Sequence, residues 1–241
     1  MLNKVVVSAA GRGTRMLHLS KQKPKHLIEI NGRPFLYYLL KNLKEAGFEE
    51  VIMVIGYKKE VMENFLADYK DKFKMTIVNQ FDLLGDKYGT ACPIEAVKNI
   101  IGRDESFISI CGDNLYSVPD LKKFFIDDEF SYIAGLKHPE PNKYGVLIRN
   151  GEDYLDKIIE KPTTYVGDLI NTGLYKFTPS VFKQLPLISK SSRGEYELTD
   201  VINLLAQEKK VKIREIEDYW LDFGKPEDVQ TLEQFLNNQN N

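Results

Sequence analysis

The sequence predicts an α/β protein: a Rossmann-like, mostly parallel sheet flanked by helices, with a smaller and more antiparallel lobe attached. Three observations carry the prediction. Over the first half of the chain, apolar runs of strand length alternate with amphipathic stretches of helical spacing. Those runs are apolar throughout rather than half polar, as strands covered on both faces are. From about Phe130 the rhythm changes to strand after strand with little helix between.

The elements follow in order. Lys4-Val5-Val6-Val7 is a β-branched run ending at small residues and glycine, the pattern of a buried strand feeding a turn. Phe35–Ala46 (FLYYLLKNLKEA) repeats its apolar residues at helical spacing and is closed by Gly47, after which 51–55 reads as a second buried strand ending at Gly56. A helix over 58–69, a strand over 75–79, a helix over 90–101 and a strand over Phe107–Cys111 that stops at Gly112 continue the alternation. In open sheets of this kind ligands bind beyond the carboxyl ends of the strands, where Gly11-Arg12-Gly13 and Gly112-Asp113-Asn114 both fall. The second half reads as strands over 132–137, 144–149, Tyr154–Glu160 and Leu169–Phe177, then a helix over 198–208, a strand over 211–216 and a last helix over 226–236. The asparagine-rich end, 237–241, is expected to fray. With no internal repeat and no long linker, 1–241 is expected to be one unit with halves at 1–128 and 129–225 and a closing helix and tail at 226–241.

Composition narrows the function. The formal net charge is −2 and the lysines and arginines are scattered, so neither a nucleic-acid footprint nor a membrane-surface patch is expected and the partner is a small molecule. Cys92 and Cys111 lack metal-ligand spacing. There is no signal-peptide pattern and no apolar stretch of about 18 residues, so the expectation is a cytoplasmic protein with free thiols.

The stretch SAAGRGTRM, Ser8 to Met16, raises the question of a phosphate-binding turn. A dinucleotide-binding turn needs glycine where Met16 stands, and the Gly-Lys-Ser/Thr ending of a Walker loop is absent. What remains is two glycines that let backbone N–H groups face an anion, then Arg15 with a forked guanidinium suited to phosphate, then Lys25 in KPKH as a point charge. Taken alone the turn is weak evidence, and a purely structural turn is the alternative reading.

The rest of the chain decides between them. AAGRGTRM with KPKHL, then YGTA at 88–91, CGDN at 111–114, KYGV at 143–146, EKP at 160–162, NTGLYKF at 171–177, GEYELTD at 194–200 and WLDFGKPED at 220–228 occur in collinear order. Together they resemble the sugar-1-phosphate nucleotidylyltransferases over nearly the whole chain, in particular short members similar to glucose-1-phosphate thymidylyl- and uridylyltransferases. The resemblance implies a reaction in which a sugar 1-phosphate attacks the α-phosphorus of a nucleoside triphosphate and pyrophosphate leaves. No covalent nucleophile is needed. The protein must align anionic groups and neutralise them, so cations and Mg2+ are expected to dominate the site.

By the resemblance, Ala9, Ala10, Gly11, Gly13 and Arg15 surround the base and triphosphate, and Lys25 stabilises charge on the α-phosphate and the departing pyrophosphate. Gln80, Gly89 and Thr90 are the counterparts of the base-contacting stretch. Asp113 and Asp222, each at an expected strand end, suit magnesium, a hard cation that takes one or two carboxylates plus phosphate oxygens. Asn114, Gly145, Glu160, Lys161 and Asn171 are the counterparts of the sugar-phosphate pocket, which assigns 1–128 to the nucleotide and 129–225 to the sugar. Glu195 occupies a motif position without an assigned contact. Tyr144, Tyr175 and Phe177 are read as core, Cys111 as a small core residue, and His18, His26 and His138 receive no role.

Departures from the pattern are Ser8, where the family commonly has an aliphatic residue, and an end near the last helix, from which the left-handed β-helix and acetyltransferase activity of longer members are expected to be absent. The competing readings are a cytidylyltransferase acting on phosphocholine or another alcohol phosphate, a catalytically silent nucleotide-sugar sensor, and a dehydrogenase. EKP and NTG favour a sugar, the presence of Arg15, Lys25, Asp113 and Asp222 together disfavours the sensor, and Met16 disfavours the dehydrogenase. Glucose 1-phosphate with UTP or dTTP is the favoured substrate pair, and homo-oligomer formation stays open.

Overall fold

The computed structural model describes residues 2–151 and 153–239. Its strands are β1 (Lys4–Ala9), β2 (Glu29–Ile30), β3 (Arg33–Pro34), β4 (Glu50–Ile55), β5 (Lys74–Asn79), β6 (Phe107–Cys111), β7 (Asn114–Tyr116), β8 (Ser131–Lys137), β9 (Gly145–Asn150), β10 (Tyr154–Glu160), β11 (Leu169–Phe177), β12 (Val211–Glu215) and β13 (Trp220–Asp222). Its α-helices are α1 (Phe35–Ala46), α2 (Lys59–Ala67), α3 (Gln80–Leu84), α4 (Cys92–Ala96), α5 (Val118–Lys122), α6 (Val181–Gln184), α7 (Leu198–Gln207) and α8 (Asp228–Gln239).

Among the described residues a nine-stranded sheet has the order β5-β4-β1-β6-β11-β8-β12-β10-β9. β5, β4, β1 and β6 run parallel, as their apolar runs predict. β11 then enters antiparallel to both β6 and β8, β12 runs parallel to β8, and β10 and β9 close the edge antiparallel. The antiparallel strands of the second half therefore extend the first half's sheet rather than forming a layer of their own.

The pleat explains why β1 is apolar on both of its faces. Val5 and Val7 of β1 pack on one face with Leu36, Leu39 and Leu43 of α1, while Val6 packs on the other with Ile94 of α4 and Val201 and Leu205 of α7. Each such side chain contributes about 1.5–3 kcal/mol by leaving water. Burial on both faces thus fixes the carboxyl ends of β1 and β6, where the glycine turn and Asp113 begin.

Two expectations change. The helix read over 90–101 shortens to α4, because Leu198 N donates to Thr90 Oγ1 at 2.8 Å and Ala91 N to Tyr196 O at 3.0 Å, ties that set the chain's direction against local propensity. The end does not fray from 237: α8 continues to Gln239, and Asn31 Nδ2 donates to Asn237 Oδ1 at 3.0 Å. Asn240 and Asn241 lie outside the described residues. Among the described residues no helix is long and apolar enough to cross a membrane.

Candidate active site

The glycine turn leaves β1 at Ala9 and Ala10, both buried, so these two present backbone rather than side chain. Gly11 is open: a methyl group added to it would meet nothing within 4 Å. Gly13 has φ +64°, and an added Cβ would stand 3.1 Å from Lys25 Cβ, so it is glycine both for its left-handed backbone and for the lysine stem packed on it. Arg15 lies exposed on the following 3-10 turn, Thr14–Ser20.

Lys25 is only 8% exposed, and its ammonium pairs with the Asp113 carboxylate just beyond β6. Asp222 reaches the same place from the far end of the chain. β7 and β13 pair antiparallel with Asp222 opposite Asn114, and Phe223 N donates to Asp113 O at 2.8 Å. A methyl on Gly224 would stand 3.4 Å from Asp222 Oδ2 and 3.6 Å from Arg15 Nη1, so guanidinium and carboxylate border the same glycine. Arg15, Lys25, Asp113 and Asp222, spread over more than 200 positions, are thus brought together.

The two acids are shifted in opposite directions. Burial would raise the Asp113 pKa, but the Lys25 ammonium beside it outweighs burial and holds the carboxyl below its usual range. Burial and then the negative charge of Asp113 push Asp222 up to about 6. Among the described residues no donor reaches its carboxylate. A pair of hard oxygen ligands, one of them short of positive charge, fits a divalent cation that completes its shell with phosphate oxygens. Among the described residues no group of three or more His, Cys, Asp or Glu gathers for a metal. Burial also pushes the Cys111 thiol upward, which keeps it protonated, in line with its reading as a packing residue.

His26, next to Lys25, is buried with Nδ1 unpartnered, and burial followed by the Lys25 charge lowers its pKa to about 3. Its folded pKa therefore lies below its unfolded one, so the unfolded chain takes up the proton first as pH falls through 6.5. Stability should drop by roughly 1.4 kcal/mol per pH unit from this group between about 6.5 and 3. His26→Gln should flatten that part of the dependence of melting temperature on pH; an unchanged slope would show that the ring protonates in place.

In the second half of the chain, Gly145, Glu160 and Asn171 converge: an added Cβ on Gly145 would stand 2.9 Å from Glu160 Oε2 and 3.8 Å from Asn171 Cβ. Asn171 already uses part of its amide, donating to Tyr175 Oη at 2.9 Å and accepting from Gly173 N at 3.0 Å. Lys161 is exposed in a left-handed conformation, φ +43°, its N–H donating to Tyr144 O at 3.0 Å. Asn114 is buried, with Nδ2 donating to Thr172 O at 3.2 Å and Oδ1 unpartnered.

In the first half, Gln80 opens α3 with Oε1 buried and unpartnered among the described residues and Nε2 at 3.5 Å from Lys87 O. Gly89 and Thr90 are packed against the GEYELTD stretch instead of standing free. An added Cβ on Gly89 would collide with the Tyr196 backbone at 2.2 Å, and the Thr90 hydroxyl donates to Glu197 Oε2 at 3.3 Å. Thr90 can therefore offer a ligand backbone groups rather than its hydroxyl.

Sequence reasoning missed an aromatic set around Tyr144. Tyr144, read as core, is half-buried, 5.0 Å from the His138 ring and edge-on to Trp220 at 5.6 Å. It also missed Arg12, whose guanidinium lies over the Tyr88 ring, 5.9 Å from its centroid, and so ties the glycine turn to the YGTA stretch. The only available signal was the Trp of WLDFGKPED, the single tryptophan of the chain.

Fold and site together define an α/β enzyme that handles phosphate esters at the carboxyl ends of a parallel sheet. The chain belongs to the nucleotidyl transferase family, whose model matches residues 4–239. It is 33% identical over 242 residues to a UTP–glucose-1-phosphate uridylyltransferase of Haloferax volcanii, covering 97% of this chain and 96% of that enzyme. It is 37% identical over 224 residues to a bifunctional sugar-1-phosphate nucleotidylyltransferase/acetyltransferase of Sulfurisphaera tokodaii, covering 92% of this chain but 53% of that longer protein. Among solved structures, a UDP-glucose pyrophosphorylase complexed with UDP-glucose shares the fold with a TM-score of 0.85 at 23% identity, over 99% of this chain and 100% of that one. The chain is thus an enzyme of the nucleotidyl-transfer class.

Proposed function

We propose that the chain joins a sugar 1-phosphate to the α-phosphate of a nucleoside triphosphate, releasing pyrophosphate, with magnesium held by Asp113 and Asp222. The observation that carries the reading is the meeting of Arg15, Lys25, Asp113 and Asp222 at the ends of β1, β6 and β13. Residues 1–128 hold the nucleotide and 129–225 the sugar. Glucose 1-phosphate with UTP or dTTP is the favoured pair, supported by the Haloferax relative's named activity.

A sugar-phosphate oxygen attacks the α-phosphorus, and the bond to the bridging oxygen of the β-phosphate breaks. Like charges are driven together as this happens, so the chain's work is neutralisation and alignment. Arg15 forks onto the triphosphate, and backbone N–H groups of 11–13 face it. Lys25, packed on Gly13, brings its ammonium to the α-phosphate and the departing pyrophosphate in exchange for its contact with Asp113. When bound, the cation supplies further charge neutralisation on the phosphates. Lys161 takes the sugar's phosphate, and Glu160, Asn171 and the bare backbone at Gly145 receive its hydroxyls.

Pyrophosphate release across a grid of nucleoside triphosphates, including CTP, against sugar 1-phosphates and phosphocholine tests the reading. Release with UTP or dTTP and glucose 1-phosphate is expected; release only with CTP and phosphocholine would replace the sugar with an alcohol phosphate. Within the active pair, Lys161→Ala should raise KM for the sugar 1-phosphate about tenfold, whereas Arg15→Ala should act on the nucleotide KM or on kcat. Two variants that both moved only the nucleotide parameters would refute the division between halves.

A further inference from the structure

β7 and β13 form a two-strand arm outside the main sheet, and Asp222 sits on it. The arm meets the sugar-side strand β11 at one backbone carbonyl. Pairing of β11 with β8 is interrupted by a bulge between Asn171 and Tyr175, where Gly173 has φ +78°. In that bulge Thr172 O accepts from Tyr116 Oη at 2.8 Å, Trp220 Nε1 at 3.0 Å and Asn114 Nδ2 at 3.2 Å. A carbonyl oxygen has two lone pairs, so three donors share one acceptor, and all three come from the arm. The acceptor stands beside Asn171, one of the proposed sugar contacts.

We propose that Tyr116 and Trp220 are positioning residues: by clamping the arm to the Thr172 carbonyl they hold Asp222 at a fixed offset from the sugar-side strand. The inference rests on the nucleotidyl-transfer reading above. The arm has other anchors that keep it folded. Asn42 Nδ2 donates to Tyr116 O at 2.8 Å and to Tyr219 Oη at 2.9 Å, and Phe223 N donates to Asp113 O at 2.8 Å. These bind the arm to α1 and to the end of β6, on the nucleotide side. The clamp and the edge-on contact of Trp220 with Tyr144 bind it to the sugar side. Loosening the clamp therefore lets the arm pivot on these anchors, which shifts the Asp222 carboxylate relative to both the sugar and the Asp113 carboxylate while leaving the fold standing, and displacements near 1 Å are enough to cost large factors in rate.

Tyr116→Phe keeps its ring and Trp220→Phe keeps a smaller aromatic ring in place of the indole, and each removes one donor. Each should lower kcat about three- to fivefold and the pair together at least about twentyfold, with the nucleotide KM within about twofold of wild type and the melting temperature within a few degrees. Wild-type kcat in the double variant, or parallel loss of kcat and melting temperature, would overturn the proposal. A second readout does not need turnover. Trp220 is the chain's single tryptophan, so paramagnetic Mn2+ at the Asp113–Asp222 pair should quench its emission saturably, and Tyr116→Phe should raise the half-saturating Mn2+ concentration about threefold. If the wild type released pyrophosphate from no substrate pair, the reading of function would fall while this titration still decided the clamp; absence of a saturable quench, or an unshifted midpoint in Tyr116→Phe, overturns it.

Discussion

Asp222→Asn is expected to lose at least about a hundredfold in turnover while its melting temperature holds or rises. The loss follows from removing charge at a preorganised electrostatic centre, typically worth about 3 kcal/mol or more of transition-state stabilisation. The retained stability follows from the state of the carboxyl, which burial and Asp113 push up to about 6. A carboxyl whose folded pKa exceeds its unfolded one binds its proton more tightly in the folded state. Its contribution is favourable at low pH and declines as pH rises from about 4 to about 6. At neutral pH its charge opposes folding, by on the order of 1–2 kcal/mol after allowing for solvent at this half-buried residue. The asparagine removes that opposition. Thermal melts without divalent cation over pH 4–7, each compared with wild type so that the opposite slope from His26 cancels, give the sign. A variant that melts lower across the whole range would mean that Asp222 holds the fold through contacts its charge does not describe.

Asp113→Asn should be equally inactive and, unlike Asp222→Asn, less stable. Its carboxylate is the partner of Lys25, whose side chain is 10% exposed, and removing one member of a buried pair strands the other. A fully buried pair loses roughly 3–5 kcal/mol in this way, and the partial exposure of Asp113 reduces the expected loss to about 1–3 kcal/mol. The double variant Lys25→Met with Asp113→Asn should recover most of that stability and none of the turnover. If Asp113→Asn melted at the wild-type temperature, the ion pair would be neutral for folding and its geometry would serve catalysis alone.

What could be read from the sequence was whatever repeats or sits next to something that repeats. α1, β6, β10 and β11 fall where their apolar patterns place them, because each buries at least one face, β6 and β11 nearly all of their length and β10 only Leu155 and Ile158, and a polar substitution on a covered face would be costly. Arg15 and Asp113 are legible for the same reason, since each follows closely on a strand whose end the pattern marks. The arm was not legible. β7 and β13 have three residues each, too few for a period, and they pair across more than a hundred positions. The Thr172 carbonyl leaves no mark at all, because every residue has one and only the bulge at Gly173 makes this one an acceptor for three side chains. The shortened α4 was misread because its boundary is set by Thr90 meeting Leu198, a contact that local propensity does not contain.

The placement of Asp222 on β13 has a consequence for biosynthesis. The four parallel strands are all encoded before residue 112, so a chain emerging from the ribosome can assemble β5, β4, β1 and β6 with Lys25 and Asp113 in their neighbourhood while more than a hundred residues are still to be added. β11, the next strand of the sheet, and then the arm's second strand arrive much later. Until they do, a nascent chain has the turn proposed for the triphosphate and lacks Asp222 and, apart from Asn114, the residues proposed for the sugar. Translation order thus makes the second acid of the proposed metal pair one of the last parts of the fold to arrive, after the sheet that carries the first is already encoded.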